Sequence, residues 1–182
     1  MSRGKIRMLV EGALMVALGL VLSFVKVYTL PNGGSITLGS MIPVLIFSLR
    51  YGAPAGLLAG VAHGLLQLIV EPYFVHPAQV ILDYPLAFGL LGLAGLLQTR
   101  PTAGIALGIA GRFISHYLSG VIFFAQYAPE NMSPYVYSAV YNGSYLLPEL
   151  IISSLVISFG LRSFAKPQGV PEAQRKEARR EE

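Results

Sequence analysis

Asp83, His116 and Asn142 are the side chains best placed to do chemistry in a sequence otherwise dominated by apolar runs. A carboxylate beside an imidazole can move protons as an acid–base pair. The same carboxylate, walled by aromatic rings, instead holds a flat organic cation through ion pairing and ring-face attraction. Rings for that second role lie at the same ends of the same segments: Tyr73, Tyr84, Phe124, Tyr137 and Tyr141. Which chemistry applies depends on the elements that carry these residues.

Those elements belong to a membrane. Of the 182 residues, 54% are hydrophobic and 12% charged, against about 25% charged in soluble domains, and the mean hydropathy is +0.62. Apolar stretches approach the roughly 20 residues that a bilayer requires. The sequence predicts an all-α integral membrane protein, a bundle of six transmembrane helices. The segments run from about Ile6 to Tyr28, Leu38 to Leu49, Ala55 to Val70, Pro77 to Gln98, Thr102 to Tyr127 and Pro134 to Ser163. The first is too long for a signal-peptide core, and no small-residue cleavage site follows it, so it is expected to stay as a helix. The second is short and contains Pro43, and is tolerable only where protein covers its backbone. Between them, TLPNGGSIT (Thr29 to Thr37) reads as a non-helical link. The expected organisation is a membrane domain over 1–165 and a charged, mobile tail over 166–182.

Lysine and arginine set the orientation. With both termini cytoplasmic, Arg3, Lys5, Arg7, Arg50, Arg100, Arg162, Lys166 and the tail lie inside, and only Lys26 lies outside. An odd number of crossings would break that asymmetry. The net charge of +4 therefore reflects topology and not a nucleic-acid surface.

Depth then groups the polar residues. A charge at the bilayer centre costs about 2.5–3.5 kcal/mol on insertion scales. By helical rise, Asp83 sits roughly 9 Å below the outer end of its helix, His116 roughly 16 Å and Asn142 roughly 12 Å. Three helices thus place a carboxylate, an imidazole and an amide in one outer band. An interfacial aromatic belt around a structural Asp–His pair would read the same way. Arg112 and Glu149 share a greater depth on neighbouring helices, which predicts an ion pair fixing helix register. Glu11 can snorkel to the inner surface, and His63 and His76 read as structural. Small residues recur at packing intervals: Ala13 and Ala17, Gly104 and Gly108, and Gly89, Gly92 and Gly95. A spare small-residue face would instead dock a partner.

Several classes of chemistry lack their residues. There is no G-x-x-x-x-G-K-[ST] for ATP, no G-x-S-x-G turn, no cysteine, and no metal-ligand cluster. Uphill transport would have to draw its energy from another subunit.

Four stretches carry a family resemblance: GGSITLGSMIPV (Gly33 to Val44), VHPAQVILDYPLAFGLLGLAG (Val75 to Gly95), HYLSGVIFFAQYAP (His116 to Pro129) and VYSAVYNGSYLLPE (Val136 to Glu149). In this order they resemble the thiamine-specific substrate-binding subunit, or S component, of energy-coupling factor (ECF) transporters. The likeness covers about Ile6 to Ser163, and the HP-x-Q-x-x-LDYPLAFG stretch is its most specific part. The resemblance implies a prokaryotic, multi-pass cell-membrane subunit that takes thiamine (vitamin B1) from outside with high affinity. It would work with a transmembrane coupling subunit and two cytoplasmic ATPases, without cofactor or metal. By position it places Asp83 at the aminopyrimidine. Tyr84, His116, Tyr137 and Asn142 become further contacts, and Tyr73, Gly120 and Phe124 pocket lining. Ala13 and Ala17 match the motif that meets the coupling subunit, and the Thr29 to Thr37 link becomes a lid. Two departures stand out. The chain has no tryptophan, and Gly34 and Phe124 occupy the places where some members stack the ligand on one. Asp83 replaces a Glu found in some members.

The expected function is thiamine capture without chemistry. Its alternatives are an S component for a related vitamin or pyrimidine precursor, and an intramembrane enzyme using Asp83 and His116 as acid and base.

Overall fold

The structure, a computed structural model, describes residues 2–168. Five helices are long and apolar enough to cross a membrane: α1 (Arg3–Ser23), α3 (Ala53–Val70), α4 (Pro77–Leu97), α5 (Pro101–Phe123) and α6 (Pro134–Gly160). A sixth, α2 (Ile42–Tyr51), is short. The six-helix bundle agrees with the sequence reading. Proline occupies the first turn of α2, α3, α4, α5 and α6, where its missing N–H would have had no partner. Pro43 therefore starts α2 and does not kink it.

The link between α1 and α2 is a hairpin. Strand β1 (Lys26–Thr29) pairs antiparallel with β2 (Ser35–Thr37), and Pro31–Gly33 forms one 3-10 turn at the tip. This corrects two expectations. The first helix stops at Ser23, short of Tyr28, and the link contains a helical turn. Gly33 has φ 96°, which glycine adopts at little cost. The hairpin re-enters the bundle so deeply that Thr37 is buried. Ten residues of helix, about 15 Å, then suffice for α2 to complete the crossing. Residues Ile42 to Leu49 are all buried, so protein covers the short helix on every side.

Glycine sets the spacing of α3 against α4. A Cβ at Gly60 would lie 2.2 Å from the Phe88 carbonyl oxygen, one at Gly64 2.4 Å from that of Tyr84, and one at Gly92 2.2 Å from the Leu57 nitrogen. Helices α3 and α4 thus touch backbone to backbone. The three-residue spacing of Gly89, Gly92 and Gly95 has a local cause. Leu91–Leu97 is 3-10 helix, with three residues per turn, so Gly92 and Gly95 fall on one side. Gly104 and Gly108 of α5 pack against the same stretch, at the Ala94 and Leu91 carbonyls.

Ala13 and Ala17 behave differently. Gly12, Val16 and Gly19 turn inward on α1, while both alanines are exposed on the opposite face. Internal packing does not account for that pair.

At one end of the bundle Glu11 pairs with Arg7 (2.7 Å) and Arg50 (3.1 Å) and accepts from the Tyr51 hydroxyl (2.6 Å). The Gln168 amide donates to the Arg50 carbonyl (2.8 Å) at the same end. The start of α1, the α2–α3 turn and the end of α6 therefore meet, as an even number of crossings requires. Of the expected tail, Lys166 to Gln168 lie against this turn with Pro167 buried, and 169–182 fall outside the described residues.

Candidate ligand-binding site

At the opposite end a cavity of about 390 Å³ opens between the hairpin and helices α3 to α6. Its key residue owes its position to an irregularity. Leu82–Leu86 is a π-helical turn containing Pro85, which has no N–H to offer the preceding turn. Ser115 of α5 donates to the Leu82 carbonyl (2.7 Å) and so ties α5 to this turn. The wide turn aims Asp83 at α5. Such turns are frequent at functional sites.

Three donors hold Asp83. His116 Nδ1 lies 3.0 Å from Oδ1, while Gln79 Nε2 (2.7 Å) and the Ser119 hydroxyl (2.9 Å) donate to Oδ2. Arg112 Nε donates to His116 Nε2 at 3.2 Å. Arginine has no acceptor, so Nε2 accepts and the proton of a neutral imidazole sits on Nδ1, directed at Asp83. The guanidinium also lies 4.0 Å above the centre of the Phe88 ring.

The Arg112–Glu149 ion pair expected from their shared depth does not form. Glu149 is 2% exposed, and its Oε1 accepts from the Thr37 amide (2.5 Å) and the Thr37 hydroxyl (2.6 Å). Depth fixes height in the bundle but not azimuth, and the hairpin supplies Glu149 with a partner that no helix-only reading contains.

The other expected residues divide by role. Tyr73, Tyr84, Gly120, Phe124, Tyr137 and Asn142 all border the cavity. The Tyr84 hydroxyl serves the outer loop, accepting from Tyr73 N and donating to the Glu71 carbonyl, both at 2.8 Å. Tyr73 stacks on Phe124 with ring centres 5.9 Å apart, and Phe124 on Tyr127 at 6.1 Å. Asn142 is used within the protein. Its Nδ2 donates to the Ser138 carbonyl (2.9 Å) and the His116 carbonyl (3.3 Å), and its Oδ1 accepts from Tyr145 (2.8 Å). It ties α5 to α6 beneath the pocket. Gly120 serves the same junction, since a Cβ there would lie 2.2 Å from the Ser138 hydroxyl.

Sequence reasoning passed over Gln79, Ser119, Thr37 and Tyr145. Gln79 and Ser119 carried a usable signal, lying four residues from Asp83 and three from His116. Tyr141 was seen only as part of an aromatic band. Its hydroxyl accepts from Gly34 N (2.9 Å) and donates to the Pro31 carbonyl, so it pins the hairpin tip. A side chain at position 34 would meet it, because a Cβ there lies 2.8 Å from that hydroxyl oxygen. At the mouth Lys26 Nζ sits 2.6 and 2.8 Å from the two Glu71 carboxylate oxygens. His76 caps α4, accepting from Ala78 N.

Residues 9–167 match the family described as Thiamine transporter protein (Thia_YuaJ). The chain belongs to the thiamine transporter family. It is 32% identical over 168 residues to the thiamine transporter ThiT of Bacillus subtilis (strain 168), covering 82% of this chain and 87% of that one. It is 28% identical over 169 residues to ThiT of Lacticaseibacillus paracasei (strain ATCC 334), covering 82% and 84%. The structure of ThiT from Listeria monocytogenes superposes with a TM-score of 0.82 at 27% identity, over 91% of this chain and all of that one. Membership in a family of transporters sets aside the enzymatic alternative. The family also agrees with the multi-pass membrane placement that hydropathy predicts.

Proposed function

We propose that this protein captures thiamine from the outer side of the membrane, in the cavity bounded by Asp83 and the aromatic wall. Charge carries the reading. Lys26 and Glu71 cancel at the mouth, and His116 is neutral. Asp83 presents its carboxylate to the cavity, while the Arg112 guanidinium is turned to His116 and the Phe88 ring. Such a cavity favours a monocation, and thiamine carries a permanent positive charge on its thiazolium ring. The remaining wall is flat and aromatic, suited to two small rings. A volume of about 390 Å³ falls within the ordinary range for small-molecule pockets.

In this reading Asp83 supplies charge and one hydrogen bond, and Tyr73, Tyr84, Phe124 and Tyr137 supply ring faces. His116 presents a neutral imidazole, while Asn142 and Gly120 hold α5 and α6 at pocket width. The protein works as the S component of an ECF transporter, with uptake driven by two ATPases through a coupling subunit. The exposed Ala13–Ala17 face supports that partnership, since small residues allow close helix approach in lipid.

Titration of purified protein with thiamine, by calorimetry in detergent, tests the reading. Asp83→Ala and Asp83→Asn are expected to weaken binding by about 2 kcal/mol or more, because a charge-assisted contact in a desolvated site is lost. Binding as tight as the parent in both variants would overturn the role of Asp83. Competition with pyrimidine precursors and other vitamins separates thiamine from its nearest rivals.

A further inference from the structure

We propose that Gln79 is a positioning residue for ligand capture, whose one amide joins the orientation of Asp83 to the placement of the outer loop Tyr73–Val75. The proposal rests on the thiamine reading of the cavity.

Gln79 is polar yet only 1% exposed, one helical turn before Asp83. Its Nε2 donates to Asp83 Oδ2 (2.7 Å) and to the Tyr73 carbonyl (3.2 Å), and its Oε1 accepts from the Val75 amide (3.0 Å). Both amide hydrogens are used. Turning the group over would set Oε1 against a carboxylate and the NH2 against an N–H, so one orientation alone is allowed. The carboxylate is constrained in turn. Of its four acceptor positions, Gln79 and Ser119 occupy those of Oδ2 and His116 one of Oδ1. One lone pair on Oδ1 remains, which suits a ligand presenting a single N–H donor beside its positive charge.

The loop depends on the same amide. Residues Glu71 to His76 are exposed, and their backbone is held from beneath by Gln79 and the Tyr84 hydroxyl. Tyr73 brings its ring to the Phe124 stack only while that hold persists. With no free hydrogen left for a ligand, Gln79 acts through Asp83 and through the loop.

The test has two arms on the full chain in detergent, using Gln79→Met, which keeps length and unbranched shape without hydrogen bonds. Without ligand, the Val75 amide is expected to exchange its hydrogen at least about tenfold faster than in the parent. Unchanged exchange would overturn the proposal. With thiamine, a double-mutant cycle compares Gln79→Met in the parent and in Asp83→Ala. The expected loss is about 10–100-fold in the parent and at least about threefold smaller when Asp83 is absent, the remainder being the share carried by the loop. Equal losses in both backgrounds would overturn it, since a packing defect or a loop effect alone acts regardless of Asp83 and leaves nothing for the amide to join. Gln79→Asn, too short to span its partners, carries the same expectations should the methionine variant not fold. A parent that fails to bind thiamine overturns the ligand reading, and Val75 exchange then decides the role of Gln79.

Discussion

The inner and outer halves of the bundle are made from the same apolar helices but keep them apart by opposite means. In the inner half α3, α4 and α5 meet through Gly56, Gly60, Gly92, Gly95, Gly104 and Gly108, with no side chain between backbones. Around α2 the space is filled by Leu45, Leu49, Leu91, Ala94 and Ile105. In the outer half Gly64 and Gly120 still make close contacts, but around the cavity most spacers are polar and aromatic side chains bonded to one another: Gln79, Asp83, His116, Ser119, Asn142 and Tyr145. Between them lies the cavity. In lipid, apolar side chains gain little by meeting each other, so contact area and hydrogen bonds must hold helices together. Glycine contact makes a dry base without room for a ligand, and hydrogen-bonded spacers make room while keeping the wall fixed.

The largest predicted effect breaks the base. Gly60→Leu places its Cβ 2.2 Å from the Phe88 carbonyl oxygen, where backbone cannot yield as a flexible side chain would. The cost should exceed the about 1–3 kcal/mol usual for overpacking. Thermal unfolding in detergent should show a large loss of stability, with binding lost as a consequence. If Gly60→Leu unfolds at the parental temperature, the glycine contact does not set the helix spacing.

A smaller effect separates charge from architecture in the upper half. Glu149→Leu strands the buried Thr37 amide at a cost of about 1–3 kcal/mol, read as faster hydrogen exchange at Thr37. Glu149→Gln keeps an acceptor for that amide but removes the negative charge. It should restore Thr37 protection while leaving thiamine binding weakened. Full recovery of affinity by glutamine would show that the net charge of the cavity does not select the ligand.

The smallest effect belongs to the mouth. The Lys26–Glu71 pair is partly open to solvent, and such pairs contribute about 0–1 kcal/mol with strong screening by salt. Lys26→Met leaves Glu71 unpaired beside the path of a cation, so it should slow thiamine release only a few-fold, with the difference from the parent shrinking as ionic strength rises. A salt-independent difference of an order of magnitude would mean that Lys26 touches the ligand.

Much of this was legible from residue types alone. Hydropathy marked the spans. The depth of Asp83, His116 and Asn142 placed them in one band, and Gly89, Gly92 and Gly95 marked a close approach. The hairpin was not legible. Lys26–Thr29 is a strand of four exposed residues with no alternating pattern, and it exists only because Ser35–Thr37 returns beside it. Its absence from the sequence reading led directly to the Arg112–Glu149 error. Glu149 bonds Thr37 and Arg112 bonds His116, which is invisible when height along a helix is known and rotation about it is not.

The amino-acid sequence by itself determined that the chain is a multi-pass membrane protein of apolar helices and which polar residues lie deep in them. Those properties are sums over residues along each segment, taken against a surrounding solvent. Tertiary structure alone decided which deep groups touch, that Asn142 braces helices and that Gln79 aims Asp83. Hydrogen bonds depend on direction within a few tenths of an ångström. That direction is set by the π-turn in α4, the glycine contacts beneath it and the hairpin above, acting together.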